Sequence, residues 1–333
     1  MIAVVHLIWG PLGPAPLRRF LRSYRAHAAG VEHDLVMIFN GVSDDCLPAL
    51  NRELEGVEHR RLVLAEPLQD LAAYAMAAEC LEHECLCFLN SHSVLLAHDW
   101  LAKLALALEQ PQVGLVGATG SWASFRSAAL NMIFLPNPYR RVFPKRRVAR
   151  ELYRAMALER EAGHSPTSKP MPRSPLGSLT AVLEGLAPLP EQIRRFEGFP
   201  TPHLRTNGFM ARRATLANLR IGEIRTKMDA YSLESGRDSL TNRVMRSGLR
   251  ALVVARDGSF YEHEHWPRSR TLWQGDQEGL LIADNQTRIY ANGELRRRQM
   301  LSAYAWGRRA DPSPPTTGEH LASDQERERP CLD

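Results

Sequence analysis

The chain has 333 residues, 44% hydrophobic and 24% charged, which is enough for about two domains on length alone and excludes a disordered chain, a fibrous repeat or a coiled coil. Its 42 basic and 37 acidic residues leave a formal charge of +5, too mild for binding nucleic acid through overall charge. Five cysteines, Cys46, Cys80, Cys85, Cys87 and Cys331, form no CxxC pair, which argues against a disulfide scaffold or zinc ribbon and for reduced thiols in a cytoplasm.

The chain opens on Met1-Ile2-Ala3-Val4-Val5-His6-Leu7, which lacks a basic leader and predicts a buried first strand over 2–8 rather than a signal peptide. No apolar run approaches the ~18 residues of a membrane span. Leu17, Phe20, Leu21 and Tyr24 recur at helical spacing and predict a helix over 16–29. A second strand over 34–39 ends in Asn40-Gly41 and Ser43-Asp44-Asp45, which is turn chemistry. A short strand over 62–64, a helix over 68–81, a strand over 84–90, an Asp99-capped helix over 100–109 and a strand over 113–118 complete five strands with four crossovers, the pattern of a mainly parallel sheet.

That rhythm stops at residue 121. From 121 to 201 the chain is rich in proline and basic, with 13 Lys/Arg against 6 Glu between Ser121 and Pro200, so the remainder is near neutral. Helices are expected there over 148–161 and 192–196. Regular structure resumes with a strand over 207–211, a helix over 239–247 and a strand over 251–255. The polar segment 309–333, with Pro312, Pro314 and Pro315, reads as a disordered tail. The whole reads as one domain, 1–308, with a nucleotide-sugar half over 1–120, a basic insert over 121–201 and a catalytic half over 202–308.

Several segments carry chemistry. The Asn40 to Asp45 turn follows a strand, where open α/β sheets bind ligands, although a plain β-turn with a helix cap explains it equally. The apolar run ending at Leu89 opens abruptly onto Asn90-Ser91-His92-Ser93, which sets Asn90 and His92 on one side of an extended segment; His92 alone also reads as an ordinary polar loop residue. In Tyr261-Glu262-His263-Glu264-His265-Trp266 the two histidines alternate, as metal ligands or as part of a strand edge. Asp284-Asn285-Gln286-Thr287 reads as a site loop or as a helix cap.

In this order the segments resemble the GT-A fold glycosyltransferases of the family-2 type. The Asn40 turn stands where that family touches the nucleoside, and Asn90-Ser91-His92 stands where it carries DxD. Val113 to Ala118 resembles its "vGlvG" strand. Arg205-Thr206-Asn207-Gly208-Phe209-Met210-Ala211-Arg212-Arg213 resembles the strand beside donor sugar and acceptor, and Glu234 to Leu249 resembles the helix start that bears the catalytic base.

The resemblance implies an α/β fold with a mainly parallel sheet flanked by helices and interrupted by a basic insert. It implies transfer of a sugar from a nucleotide-diphosphate donor to a glycan or lipid-linked acceptor in polysaccharide synthesis, with inversion. Glu234 and Asp238 compete as the base, Glu234 having less structural excuse because an acid at the helix start also serves as a cap. Asn40, Ser43, Asp44, Asn90, His92, Asn207, Lys227 and Arg237 are the expected donor-binding residues. A divalent metal, Mg²⁺ or Mn²⁺, is the family's cofactor; Asn90-Ser91-His92 in place of DxD argues against it, and His92, His263 and His265 are the alternative ligands. Without a metal, Lys227, Arg237, Arg205 and Arg243 are candidates to offset the diphosphate.

The insert's basic cluster, Arg140, Arg141, Lys145, Arg146, Arg147 and Arg150 beside Phe134, Leu135, Tyr139 and Phe143, suits an anionic membrane surface on the cytoplasmic side or an anionic acceptor. No nucleic-acid partner is expected. The rival reading is a non-catalytic descendant of the fold that only binds the nucleotide-sugar.

Overall fold

The computed structural model describes residues 1–132, 194–219 and 221–307. The basic cluster, the expected helix over 148–161 and the segment 309–333 lie outside the described residues.

The continuous apolar run of β1 (Ile2–Trp9) makes it a strand buried on both faces, as a central parallel strand must be. It pairs in parallel with β2 (Asp34–Asn40) and with β4 (Cys85–Leu89), and β2 pairs with β3 (Arg60–Val63). Beyond β4 lie β9 (Gly208–Arg212), β6 (Val113–Gly117), β10 (Arg250–Val254) and β11 (Phe260–Tyr261), so the eight-stranded order is β11-β10-β6-β9-β4-β1-β2-β3. Only β9 and the edge strand β11 run against the rest. All seven strands expected from the sequence are present within a residue or two. The reversal of β9 was not expected, because direction depends on pairing rather than on local pattern.

Two-residue alternation divides β1 between two cores. Ala3, Val5 and Leu7 face α3 (Asp70–Cys80), α7 (Lys227–Ser235) and α8 (Leu240–Arg246), with Trp266 and Trp306 fully buried in the same cluster. Val4 and Ile8 face α1 (Ala15–Ala26) and α4 (Trp100–Leu108) through Leu17, Phe20, Trp100 and Leu104. Each fully buried large side chain contributes about 1.5–3 kcal/mol. Helices therefore cover both faces of a mainly parallel sheet, the fold class expected.

The remaining helices are α2 (Leu47–Glu53), α5 (Phe125–Met132), α6 (Arg213–Asn218), α9 (Asn285–Ala291) and α10 (Leu295–Trp306). Helices α7, α9 and α10 go beyond the sequence expectation. Thr226-x-x-Asp229 explains the first: the Thr226 hydroxyl accepts from the Asp229 N–H and the Asp229 carboxylate accepts from Thr226, a reciprocal box that satisfies two orphan donors. Asp284 and Thr287 do the same for α9.

Both ends of the expected insert are built into the body. The short strands β7 (Gly120–Ser121) and β8 (His203–Leu204) pair, the Trp122 N–H donates to the Ala305 carbonyl, and Phe196 is fully buried against Phe125. A further two-stranded pairing joins β5 (Val94–Leu95) to β12 (Ile282–Ala283) and brings the start of α9 against the Asn90 loop. Among the described residues no helix is long and apolar enough to cross a membrane.

Candidate active site

The parallel strands β1, β2, β4 and β6 all end on one edge of the sheet. Consecutive strands reverse their order between β1 and β4, the switch point where open α/β sheets leave a crevice. There the Trp9 N–H donates to the Ser91 hydroxyl at 3.0 Å, stitching the two strand ends together. The loops after β1 and β2 also approach closely: a Cβ on Gly10 would sit 2.1 Å from the Gly41 carbonyl oxygen, so only glycine fits.

The donor-binding residues expected from the sequence divide by what already holds them. Asn40 is fully buried and spends its amide on one backbone: its Nδ2 donates to the Leu68 carbonyl at 2.8 Å and its Oδ1 accepts from the Leu68 N–H at 2.9 Å. It is a clamp between β2 and the segment leading into α3. Ser43 and Asp44 lie exposed in the turn that follows. Asn90 forms a local turn, its Oδ1 accepting from the His92 N–H at 3.0 Å and the Ser93 hydroxyl at 3.2 Å.

His92 is half-buried beside this loop, and its carbonyl accepts from Arg288 of α9. Behind it, His6 stacks on Phe20 at 3.9 Å with both ring nitrogens buried and without a hydrogen-bond partner in the described structure. Burial, helped by the nearby His92, lowers the His6 imidazole to about 3, so it is neutral across the physiological range.

Asn207 is the residue most firmly seated at this edge. Its Oδ1 accepts from the Thr119 hydroxyl at 2.7 Å, and its carbonyl accepts from the Asn90 N–H and the Ser93 hydroxyl. Its Nδ2 is buried and has no partner among the described residues. Two residues earlier, Arg205 Nη2 donates to Asp284 at 2.9 Å while Nη1 is buried without a partner among the described residues. Asp284 is buried; burial alone would raise its carboxyl, but the charge of Arg205 and the Thr287 N–H hold it below the usual carboxylate value.

Between these two, Thr206 reaches in the other direction. Its N–H and hydroxyl donate to Glu234 Oε1 at 2.9 and 3.1 Å, fixing the half-buried carboxylate at the end of α7. Asp238 is differently placed. It is exposed, and its two oxygens accept from Arg243 at 2.7 Å and Arg246 at 2.6 Å. Burial would raise its carboxyl, yet these two guanidinium groups outweigh that and hold it low. Lys227 is exposed at the first position of α7, and Arg237 is exposed beyond its end.

Sequence reasoning missed Asp70 and His203. Asp70 opens α3 beneath Glu234; it keeps an exposed face, but crowding by protein atoms first and the Glu234 charge second raise its carboxyl to about 6. Nothing local marks it, because an acid in a helix's first turn is ordinary dipole chemistry and Glu234 is remote in sequence. His203 is buried, donates through Nδ1 to the Thr201 carbonyl at 2.8 Å, and is lowered by burial against the opposing charge of Glu234. The bond at Nδ1 leaves Nε2 of the neutral ring as an acceptor.

Asp70 predicts a measurable pH response. Its charged form is disfavoured in the fold, so the native state keeps a proton that the unfolded chain releases between about pH 4 and 6, and stability declines as pH rises through that window. Asp70→Asn is expected to melt a few degrees above the parent at pH 7.5 and level with it at pH 4, solvent at its exposed face limiting the gain. Thermal denaturation at both pH values checks this, and a variant less stable at pH 7.5 contradicts it.

Among the described residues, those expected to hold a metal do not fit one. The Asn90–Ser93 loop has no carboxylate, and the Asn90 oxygen is already taken up within the loop. His92, His263 and His265 do not come together: the segment bearing the last two returns along β10, where Glu262 pairs with Arg250 and His263 with Glu264. Among the described residues no group of three or more His, Cys, Asp or Glu side chains is placed to hold a metal ion.

This is an α/β protein whose polar residues gather at the carboxyl ends of a mainly parallel sheet. No family model and no curated protein sequence matches the chain. Its fold is similar to solved structures of low identity. One is the mannosyltransferase PcManGT from Pyrobaculum calidifontis in complex with GDP-Man and Mn²⁺, 14% identical over 81% of this chain and 59% of that one, with a TM-score of 0.43. Others are S. aureus TarS, 13% identical over 35% of this chain and 34% of that one (TM-score 0.28), and GalNAc-T7 with UDP, GalNAc and Mn²⁺, 15% identical over 35% and 22% (TM-score 0.30). The chain thus spans 59% of the mannosyltransferase and 34% of TarS. At such identities and scores neither substrate nor reaction transfers from one protein to the other.

Proposed function

We propose that this chain is a glycosyltransferase that moves a sugar from a nucleotide-diphosphate donor to a hydroxyl of a glycan or lipid-linked acceptor. One observation carries the reading: the three consecutive residues Arg205, Thr206 and Asn207 link a fixed carboxylate, Glu234, to a guanidinium and an amide with spare donors, all at the sheet edge where such folds bind nucleotides.

In this reading the Glu234 carboxylate takes the proton of the acceptor hydroxyl. The acceptor oxygen then bonds to the anomeric carbon while the bond from that carbon to the diphosphate oxygen breaks, its electron pair leaving with the nucleoside diphosphate. Attack from the face opposite the leaving group inverts the anomeric centre. Thr206 holds the carboxylate in place, which favours Glu234 over Asp238, whose oxygens are occupied by Arg243 and Arg246. The turn after Asn40 faces the nucleoside, and Asn90, His92 and Asn207 line the path from nucleoside to sugar. Lys227, exposed at the first position of α7, and Arg237, exposed beyond its end, are further donor-binding candidates able to offset the diphosphate. A cytoplasmic protein working at the membrane's inner face in envelope polysaccharide synthesis is the setting that suits such an acceptor.

A binding module without turnover is favoured by one feature, the absence of a carboxylate from Asn90-Ser91-His92. A thermal-shift screen across nucleotide-sugars, followed by donor-consumption assays, separates the two readings. At least one donor is expected to raise the melting temperature, since a ligand at a hundred times its Kd adds about 2.7 kcal/mol. A donor that binds and is never consumed, with any glycan acceptor or water, establishes the binding module; no shift with any nucleotide-sugar overturns both readings.

A further inference from the structure

Accepting the nucleotide-sugar reading, the same strand ends define how the diphosphate is held. A site built on two carboxylates and a dication is neutral overall, and hard cations require that anionic oxygen. This chain supplies none from the Asn90 loop, whose Asn90 oxygen is already committed to the His92 N–H and Ser93 hydroxyl.

Donors, by contrast, accumulate around that loop. Asn207 is 3% exposed, and with its oxygen engaged by Thr119 its Nδ2 is left buried with no partner among the described residues. The Arg205 side chain is 15% exposed; one terminal nitrogen is paired with Asp284, the other buried and unmatched among the described residues. A second guanidinium arrives from α9, where Arg288 Nη1 donates to the His92 carbonyl at 3.1 Å and so ties the helix to the loop.

The Asp284 carboxylate is divided between Arg205 and the Thr287 N–H that starts α9. Buried donors without acceptors are unfavourable, and a guanidinium fork matches phosphate oxygens in pairs.

We infer that Arg205 and Arg288, with the Asn207 amide, seat the diphosphate of the donor directly and take the place of a metal ion in this chain. The same groups face the oxygen on which negative charge collects as the nucleoside diphosphate departs, so they serve leaving-group stabilisation as well as binding.

Isothermal titration of the full chain with UDP and with GDP, in EDTA and in Mn²⁺, tests this. One of the two is expected to bind with affinities in EDTA and Mn²⁺ that agree within about twofold, and Arg205→Lys and Arg288→Gln to weaken it by more than about tenfold. Both substitutions retain a donor for Asp284 or His92, and melting curves confirm folding; Arg256→Ala, at the surface, serves as the unchanged control. Binding that vanishes in EDTA, returns with Mn²⁺ and is indifferent to both substitutions overturns the inference and leaves the donor reading standing. Failure of both nucleotides to bind in either condition overturns the inference together with the donor reading as it applies to them.

Discussion

Replacing Glu234 with Gln is expected to lower sugar transfer by about 10²–10⁴-fold while nucleotide-sugar affinity stays within about twofold of the parent, because the change removes basicity and little else. The Gln amide oxygen can accept from the Thr206 N–H and hydroxyl as the carboxylate does, so the end of α7 keeps its anchor. What is lost is the site for the acceptor's proton. Asp238→Asn provides the contrast. Its carboxylate is exposed and shared by Arg243 and Arg246, and ion pairs of this kind contribute about 0.2–1 kcal/mol each, so a small loss of stability with turnover retained is expected. Turnover at saturating donor, with affinity followed by thermal shift, reads out both variants. Full activity of Glu234→Gln would show that the base lies elsewhere, and activity lost only in Asp238→Asn would move it one turn along the chain.

The two carboxylates show where sequence reading ends. Spacing placed an acid near a helix start but not which acid, because the distinction lies in partners remote in sequence: Thr206 for Glu234, and the exposed Arg243–Arg246 face for Asp238. Strands were legible because a parallel sheet buried on both faces requires continuous apolar runs, and β1, β2, β4 and β6 have them. Helix α1 was legible from its apolar stripe. The weakly amphipathic α7 and α10 lacked that pattern, although the box at Thr226 and Asp229 was a local signal for the first. Asn40 carries a contact that its residue type does not mark: its amide clamps the Leu68 backbone, a partner 28 residues away in sequence. Arg288 and Asp70 carried no local signal at all. Their place follows from which helix ends the β5–β12 pairing and the α3–α7 packing bring to the sheet edge.

Asp284→Ala is expected to cost about 3–5 kcal/mol, a large share of the ~5–15 kcal/mol that holds a domain folded, because it strands a mostly buried guanidinium. Two effects combine. The Asp284 side chain is 1% exposed against 15% for Arg205, so removing the carboxylate leaves a cation with little water to replace it. The Thr287 N–H also loses its acceptor, a cap worth about 0.5–2 kcal/mol. Asp284→Asn separates the terms, since its amide oxygen can still cap α9 while the charge is gone. The double variant Arg205→Met, Asp284→Asn should recover most of the stability, because a buried ion pair roughly balances its own desolvation against an apolar replacement. On the reading above it should nevertheless bind the donor poorly, which separates the fold's need for the pair from the ligand's. The pH dependence has a definite sign: Asp284 is held below its unfolded value, so its contribution is present above about pH 4 and lost as pH falls through the lowered value, and the gap between parent and Asp284→Ala should narrow there. Urea denaturation at pH 7 and below pH 4 measures both points. An Asp284→Ala protein within about 1 kcal/mol of the parent at pH 7 would mean that the pair neither anchors α9 nor holds Arg205 at the sheet edge.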